Sequence, residues 1–246
     1  MMDRNQLYEK LKDYLKNIAI ENDLMKEKVL IEGRVLTNRE AIGNPTRQDY
    51  PLLKGKEKLL QAEFKGFCGQ AFTDSPGNFQ GTLSEFLEIA LESNFERASF
   101  VAVLNAVMRY LNLIDGTIHC KDEEPEDCAK MIVDNIKDIY GNPKVAMIGL
   151  QPAILAQSSS EFTVRLVDLD PDNIGTVKSG VLIEDADIKT EEVLEWTDLV
   201  LVTGSTLANG TIVNFLGLEK PTIFYGTTIA GAAKVLGIER FCACSR

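Results

Sequence analysis

The chain has 246 residues, 45% of them hydrophobic and 26% charged, which is enough material for one large or two small globular domains. Its net charge of −11 opposes docking on nucleic acid or on an anionic membrane and suits a metal ion or another cationic ligand. Five irregularly spaced cysteines do not describe a disulfide framework. With no transmembrane run and no signal-like start, a cytoplasmic protein with reduced thiols is expected.

Leu7, Leu11, Leu15 and Ile18 recur at helical spacing and predict an amphipathic helix over residues 3–23. Residues 28–36 and 59–72 read as strands of a small antiparallel meander, broken at Asn44-Pro45 and Tyr50-Pro51. In the second strand Phe64, Gly66, Cys68, Gln70 and Phe72 would share one face, and the glycines suggest either a close backbone or ligand approach or a bulge. Residues 73–81 form a loop long enough for a lid or binding loop, or for a plain solvated connector. Helices are expected over 83–91 and 97–113. The second is apolar nearly all round, so Asn105 must be satisfied there by neighbouring backbone or face a ligand.

A division near residue 120 separates 1–120, an α+β domain, from 121–246. After a helix over 126–140 closed by Gly141-Asn-Pro143, strands and helices alternate: strands near 144–149, 161–168, 181–184, 198–203 and 221–226, helices near 152–157, 191–196, 209–216 and 228–236. That order predicts a parallel sheet covered by helices, an α/β domain of Rossmann-like type.

Ligands in such sheets bind beyond the C-terminal strand ends. Three ends are rich in small polar residues: Gly149-Leu150-Gln151-Pro152, Thr203-Gly204-Ser205-Thr206 and Tyr225-Gly226-Thr227-Thr228. The second is read as a loop, with Asn209-Gly210-Thr211 opening the following helix; turn and capping chemistry alone also accounts for these residues. Asp168 and Asp170 lie about 20 residues after Gly149, where a dinucleotide site places its ribose-binding acid. The Gly-x-Gly-x-x-Gly loop that would seat a pyrophosphate is absent. Candidate metal ligands are His119, Cys120, Cys128, Cys242 and Cys244, although no Cys-x-x-Cys pair occurs and the Cys-x-Cys stands on a tail expected to fray. One histidine, no Gly-x-Ser-x-Gly elbow and no P-loop leave triad chemistry and phosphoryl transfer unsupported, and no catalytic group is assigned.

Thr203 to Thr211, Lys144 to Pro152 and Ser99 to Ala106 together resemble the heavy-metal chelation family. The resemblance implies an enolase N-terminal-like domain before a Rossmann-like domain, with the site in the cleft between them. It points to Asn105, Gly149, Pro152, Thr203, Gly204, Thr206, Asn209, Thr211, Gly226 and Thr227. The family loop carries a proline after the last threonine, where this chain has Thr228. The expected ligand is a metal ion or a small metal-chelating compound. The alternatives are an enzyme of metallophore synthesis or modification using a nucleotide or S-adenosylmethionine-like cofactor, and a non-catalytic interaction module. No nucleic-acid or membrane partner is expected, and a homo-oligomer is compatible with the sequence.

Overall fold

A computed structural model of the chain describes residues 2–26, 30–55 and 57–246. Asp3 caps α1 (Arg4–Glu21) through a reciprocal box with Gln6, and Leu7, Leu11 and Leu15 on its inner face are fully buried. Next come β1 (Leu30–Val35), α2 (Asn38–Ile42), α3 (Pro51–Lys54), β2 (Lys58–Phe64), β3 (Phe67–Thr73), β4 (Phe79–Thr82), α4 (Leu83–Glu88) and α5 (Asn94–Tyr110). Of the expected strand 28–36, Lys28 and Val29 lie outside the described residues.

The four strands form a sheet of order β3-β2-β1-β4, with every neighbouring pair antiparallel. The single strand expected over 59–72 is a hairpin instead. Lys65 (φ 49°) and Gly66 (φ 82°) form a two-residue turn, and Phe64 pairs with Phe67 across it. Gly66 therefore does not share a strand face with Cys68. Gly69 does mark a close backbone approach: a Cβ there would stand 2.3 Å from Ala102 O and from Ala106 N of α5.

The second half supplies α6 (Glu124–Tyr140), β5 (Val145–Ile148), α7 (Pro152–Glu161), β6 (Val164–Asp168), β7 (Val177–Lys178), β8 (Val181–Asp185), α8 (Ala186–Trp196), β9 (Leu199–Thr203), α9 (Ser205–Asn209), β10 (Thr222–Tyr225), α10 (Ala230–Leu236) and β11 (Arg240–Phe241). Their sheet has the order β11-β10-β9-β5-β6-β8-β7 and is parallel except for β7. The chain builds outward from β5 through β6 to β8, then returns to the other side of β5 with β9. The order of connection thus reverses between β5 and β9, which opens a crevice at their C-terminal ends.

Both faces of this sheet are covered, as the continuous apolar run of β9 requires. Val200 and Val202 join a core with α1, α4 and α5, whereas Leu199 and Leu201 join a second core with α6, α7 and residues from the 36–59 segment. Each such fully buried side chain contributes roughly 1.5–3 kcal/mol. Among the described residues no helix is long and apolar enough to cross a membrane.

Candidate functional site

The strand ends converge on a cleft of about 490 Å³. One wall carries Gly149 and Leu150 after β5, Asp168 to Pro171 after β6, and Thr203, Ser205, Thr206, Asn209 and Thr211 around α9. Across from them stand Glu57, Phe72, Thr73, Asp74 and Asn94 from the first half of the chain. A narrower chamber of about 100 Å³ shares Glu57, Phe72, Leu150, Thr203 and Ser205, and is closed by Gln151, Gly204, Gly226, His119, Cys120, Cys128 and Cys242.

Local chemistry differs from the expectation at the central turn. Thr203-Gly204-Ser205-Thr206 is not a loop, because β9 runs directly into α9 at Ser205, and Asn209 ends that helix, with Gly210 left-handed behind it (φ 83°). A helix this short leaves most of its terminal carbonyls without internal partners. Two side chains from elsewhere supply them: the Tyr8 hydroxyl donates to Leu207 O, and Arg97 Nε donates to Ala208 O at 3.0 Å. Thr206 Oγ1 donates back to Thr203 O at 2.7 Å, while Asn209 Oδ1 accepts from the N–H (3.0 Å) and hydroxyl (2.8 Å) of Thr211. The Thr203 and Ser205 hydroxyls are 3.3 Å apart.

Gly204 is needed for space, since a Cβ would lie 3.0 Å from Tyr225 O and Ile229 N. Gly149 is needed for both space and conformation: φ is 85°, and a Cβ would meet Thr203 Cγ2 at 2.6 Å. Gln151 caps α7 through Ile154 N and Pro152 occupies its first turn, buried.

Asp168 latches two strand ends together. One carboxylate oxygen accepts from Leu150 N at 2.7 Å and the other from Asp170 N at 2.7 Å. Asp170 Oδ1 accepts from Asp172 N at 3.0 Å. Asn105 is fully buried and serves as an internal tie: Nδ2 reaches Gln70 O, Thr227 O and Thr228 O at 3.1–3.3 Å, and Oδ1 accepts from Gly231 N at 2.8 Å. It lines neither cavity. Thr227 is likewise buried outside the cleft, and its hydroxyl has no hydrogen-bond partner.

The electrostatics are one-sided. Glu57, Asp74, Asp168, Asp170 and Asp187 line the cleft, and among the described residues no lysine, arginine or histidine does. Glu57 feels this most: burial, reinforced by the charges of Asp168, Asp170 and Asp74, pushes its carboxyl up to about 7. Asp74 accepts from Asn94 Nδ2 at 2.8 and 3.0 Å, and Asn94 in turn accepts from Arg97. The sequence reading missed Glu57, Asn94 and Asp187. Glu57 sits between lysines in a segment with no motif, and it reaches the rim only because the edge of β3 meets the strand ends of the second sheet, where Phe72 N donates to Thr228 Oγ1 at 3.0 Å.

Of the candidate metal ligands, His119, Cys120, Cys128 and Cys242 meet in the narrow chamber and Cys244 lies beside them. His119 Nδ1 donates to Ala41 O at 3.2 Å, and burial holds its imidazole down to about 4, so Nε2 keeps its lone pair. Among the described residues no group of three or more His, Cys, Asp or Glu side chains is arranged to hold a metal ion.

Residues 132–236 match a family model described as "Putative heavy-metal chelation", DUF364. Over that span the chain is similar to the DUF364 family. A DUF364 protein of unknown function from Pyrococcus horikoshii has a similar fold, with a TM-score of 0.51 at 16% identity over 90% of this chain and 79% of that one. A second DUF364 structure, from Desulfitobacterium hafniense, aligns at 12% identity over 73% of this chain and 72% of that one, with a TM-score of 0.47. No curated protein matches the chain.

Proposed function

We propose that the cleft binds a metal ion carried in a small chelating compound, as a complex of net positive charge. In this reading residues 1–120 and 121–246 act as two domains, the first resembling an enolase N-terminal domain and the second a Rossmann-like domain, and the ligand lies between them. The observation that carries it is the charge of the lining: five carboxylates with no described basic group oppose an anion and favour a cation. Size supports a complexed ion over a bare one. A space of about 490 Å³ is in the range of small-molecule sites, and among the described residues no three-group cage for a naked ion is formed. The roles follow from free hydrogen-bonding capacity. Asp170 and Glu57 supply negative charge, while Ser205, Asn209 and Thr211 meet the chelator's polar groups. Asn105 and Asp168 hold the walls in place.

The same lining argues against a nucleotide, whose phosphates would face Asp74 and Asp170 without a described counter-charge. An S-adenosylmethionine-like compound, with its cationic sulfonium, would suit the charge but finds Asp168 already occupied by two backbone N–H groups.

Native mass spectrometry of protein purified without chelators tests this reading. The expected result is an adduct containing metal and an organic ligand, lost on denaturation and weakened by Asp170→Asn and Asn209→Ala. An adduct unaffected by both substitutions would move the site out of the cleft, and a metal-free adenosyl adduct would replace the reading altogether.

A further inference from the structure

The narrow chamber beside the acidic cleft has a wall of a different kind. Tyr50, Phe72, His119, Tyr225 and Phe241 bring their rings to a space of about 100 Å³, and Ile42, Ile132 and Ile154 add apolar surface. Phe72 and His119 meet edge to face with ring centroids 5.3 Å apart. The C-terminal tail, which contributes Phe241 and Cys242 to this wall, does not fray. Ile118 and Arg246 exchange both backbone hydrogen bonds at 2.8 and 3.0 Å, and Arg240 binds Gly226 O at 3.0 Å and Gly116 O at 2.6 Å. Glu57, Leu150, Thr203 and Ser205 line chamber and cleft alike, so the two spaces join there.

We propose that the chamber is a subsite for one uncharged aromatic ring bearing a hydroxyl, a ligand group of the phenol class, whose hydroxyl donates to His119 Nε2. Size, charge and polarity each point to this class. An apolar cavity of about 150 Å³ admits benzene, so a space of about 100 Å³ with an open mouth takes a single ring and leaves its other substituents in the cleft. Aromatic walls favour a ring over an aliphatic chain, because edge-to-face pairs add attraction beyond the area they bury.

Burial moves the titratable groups of the wall toward neutrality from both sides. It raises the acids Tyr50, Cys120 and Tyr225 and lowers the base His119 to about 4. A space that suppresses both signs of charge on its own wall disfavours an ionised occupant for the same reason. Other polar groups of the wall are engaged within the protein: Tyr225 Oη donates to Gly149 O at 3.2 Å, Gln151 Oε1 accepts from Ile154 N, and Thr228 Oγ1 accepts from Phe72 N at 3.0 Å. His119 Nδ1 is held by Ala41 O at 3.2 Å, and among the described residues Nε2 makes no hydrogen bond. The neutral imidazole therefore offers an acceptor, which a hydroxyl satisfies and a carboxylate does not. The inference goes beyond the chelate reading and does not rest on it, since the ring needs neither metal nor the acidic wall.

The test is fluorine NMR of reduced, metal-free, full-length protein with 4-fluorophenol, fluorobenzene and 4-fluorobenzoate as probes. 4-Fluorophenol is expected to bind saturably, about 5-fold tighter than fluorobenzene, which lacks the donor, and about 20-fold tighter than 4-fluorobenzoate, which carries a charge. His119→Leu should bring 4-fluorophenol and fluorobenzene within about 2-fold of each other. Cys128→Phe, which fills the chamber from α6, should abolish binding of both. Nuclear Overhauser contacts from the probe's ring protons to the methyl groups of Ile42 and Ile154 in the wild type locate the ring independently of how the variants fold. Absence of saturable 4-fluorophenol binding, a benzoate that binds as tightly as the phenol, contacts only to methyl groups outside the chamber, or a phenol preference that survives His119→Leu would each overturn the proposal. The probes carry no metal and no chelating pair, so the two readings fail separately. A phenol bound by protein that never yields a metal adduct overturns the chelate reading alone, and a metal adduct on protein that ignores the phenol overturns this one alone.

Discussion

Asn105 Oδ1 accepts a hydrogen bond from Gly231 N at 2.8 Å, in a setting with no exposed surface at all. One amide thereby joins α5 to the start of α10, while its nitrogen holds Gln70 O of β3 and the carbonyls of Thr227 and Thr228. The contact is close enough that Gly231 has to be glycine, since a Cβ would stand 2.9 Å from Asn105 Oδ1. Removing the amide strands several buried backbone groups, each costing about 1–3 kcal/mol. Asn105→Ala is expected to lower unfolding stability by about 2–4 kcal/mol in urea melts, with ligand affinity falling only as the fold loosens. A loss below about 0.5 kcal/mol, the usual surface effect, would show that water replaces the tie.

The short helix α9 depends on side chains that are distant in sequence. Asp74, Asn94, Arg97 and Ala208 O form one hydrogen-bonded chain from the acidic lining to the end of that helix. Arg97 is buried and also binds Leu91 O and Glu92 O at 3.0 and 2.7 Å, so Arg97→Met leaves at least three carbonyls without their donor. A loss of about 3 kcal/mol or more is expected, against about 1 kcal/mol for Tyr8→Phe, which removes a single donor. Hydrogen exchange should open at residues 205–209 in both variants. Exchange confined to α5 alone would refute the capping role.

At the β5 exit, Gly149 combines a left-handed backbone with contact to Thr203. Gly149→Ala is expected to cost about 1–3 kcal/mol through strain and overlap together. The double variant Gly149→Ala/Thr203→Ser removes the Cγ2 that a new Cβ would strike and should recover part of the loss, leaving the φ term. Full additivity of the two single changes would mean that the residues do not press on one another.

These cases show what could be read in advance. The alternation after residue 144 and the polar strand ends were legible because β5 and β9 are unbroken apolar runs, which only a two-sided sheet explains. The turn at Lys65-Gly66 was not, because lysine gives no signal for positive φ and the residues on both sides are apolar. Thr203 to Thr206 reads as a loop by composition, with a helix opening at Asn209, whereas the helix runs from Ser205 to Asn209 and is secured by Tyr8 and Arg97, which local sequence cannot reveal. The C-terminal Cys-x-Cys looked unanchored for the same reason: its restraint is the pairing of Arg246 with Ile118. In each case a contact between distant segments overrode local preference.

The Glu57 carboxyl is raised from an ordinary value of 4.5 to about 7 by burial and then by the neighbouring carboxylates. Between those two values the folded protein holds a proton that the unfolded chain releases, so stability is greatest below about 4.5 from this group and declines as pH rises through about 7. The size of the decline is on the order of 2 kcal/mol once the part-exposed side chain is credited with some solvent screening. Glu57→Gln keeps the shape and removes the titration, so the difference between its melting temperature and that of the wild type should grow across pH 5–8 in favour of the variant. A bound cation has the opposite preference, because it favours the ionised carboxylate and expels the proton. Saturation with the metal complex should therefore reverse the wild-type slope above about pH 7, while the Glu57→Gln variant shows neither the decline nor the reversal. A constant offset between the two proteins across this range would place the shifted carboxyl elsewhere in the cleft.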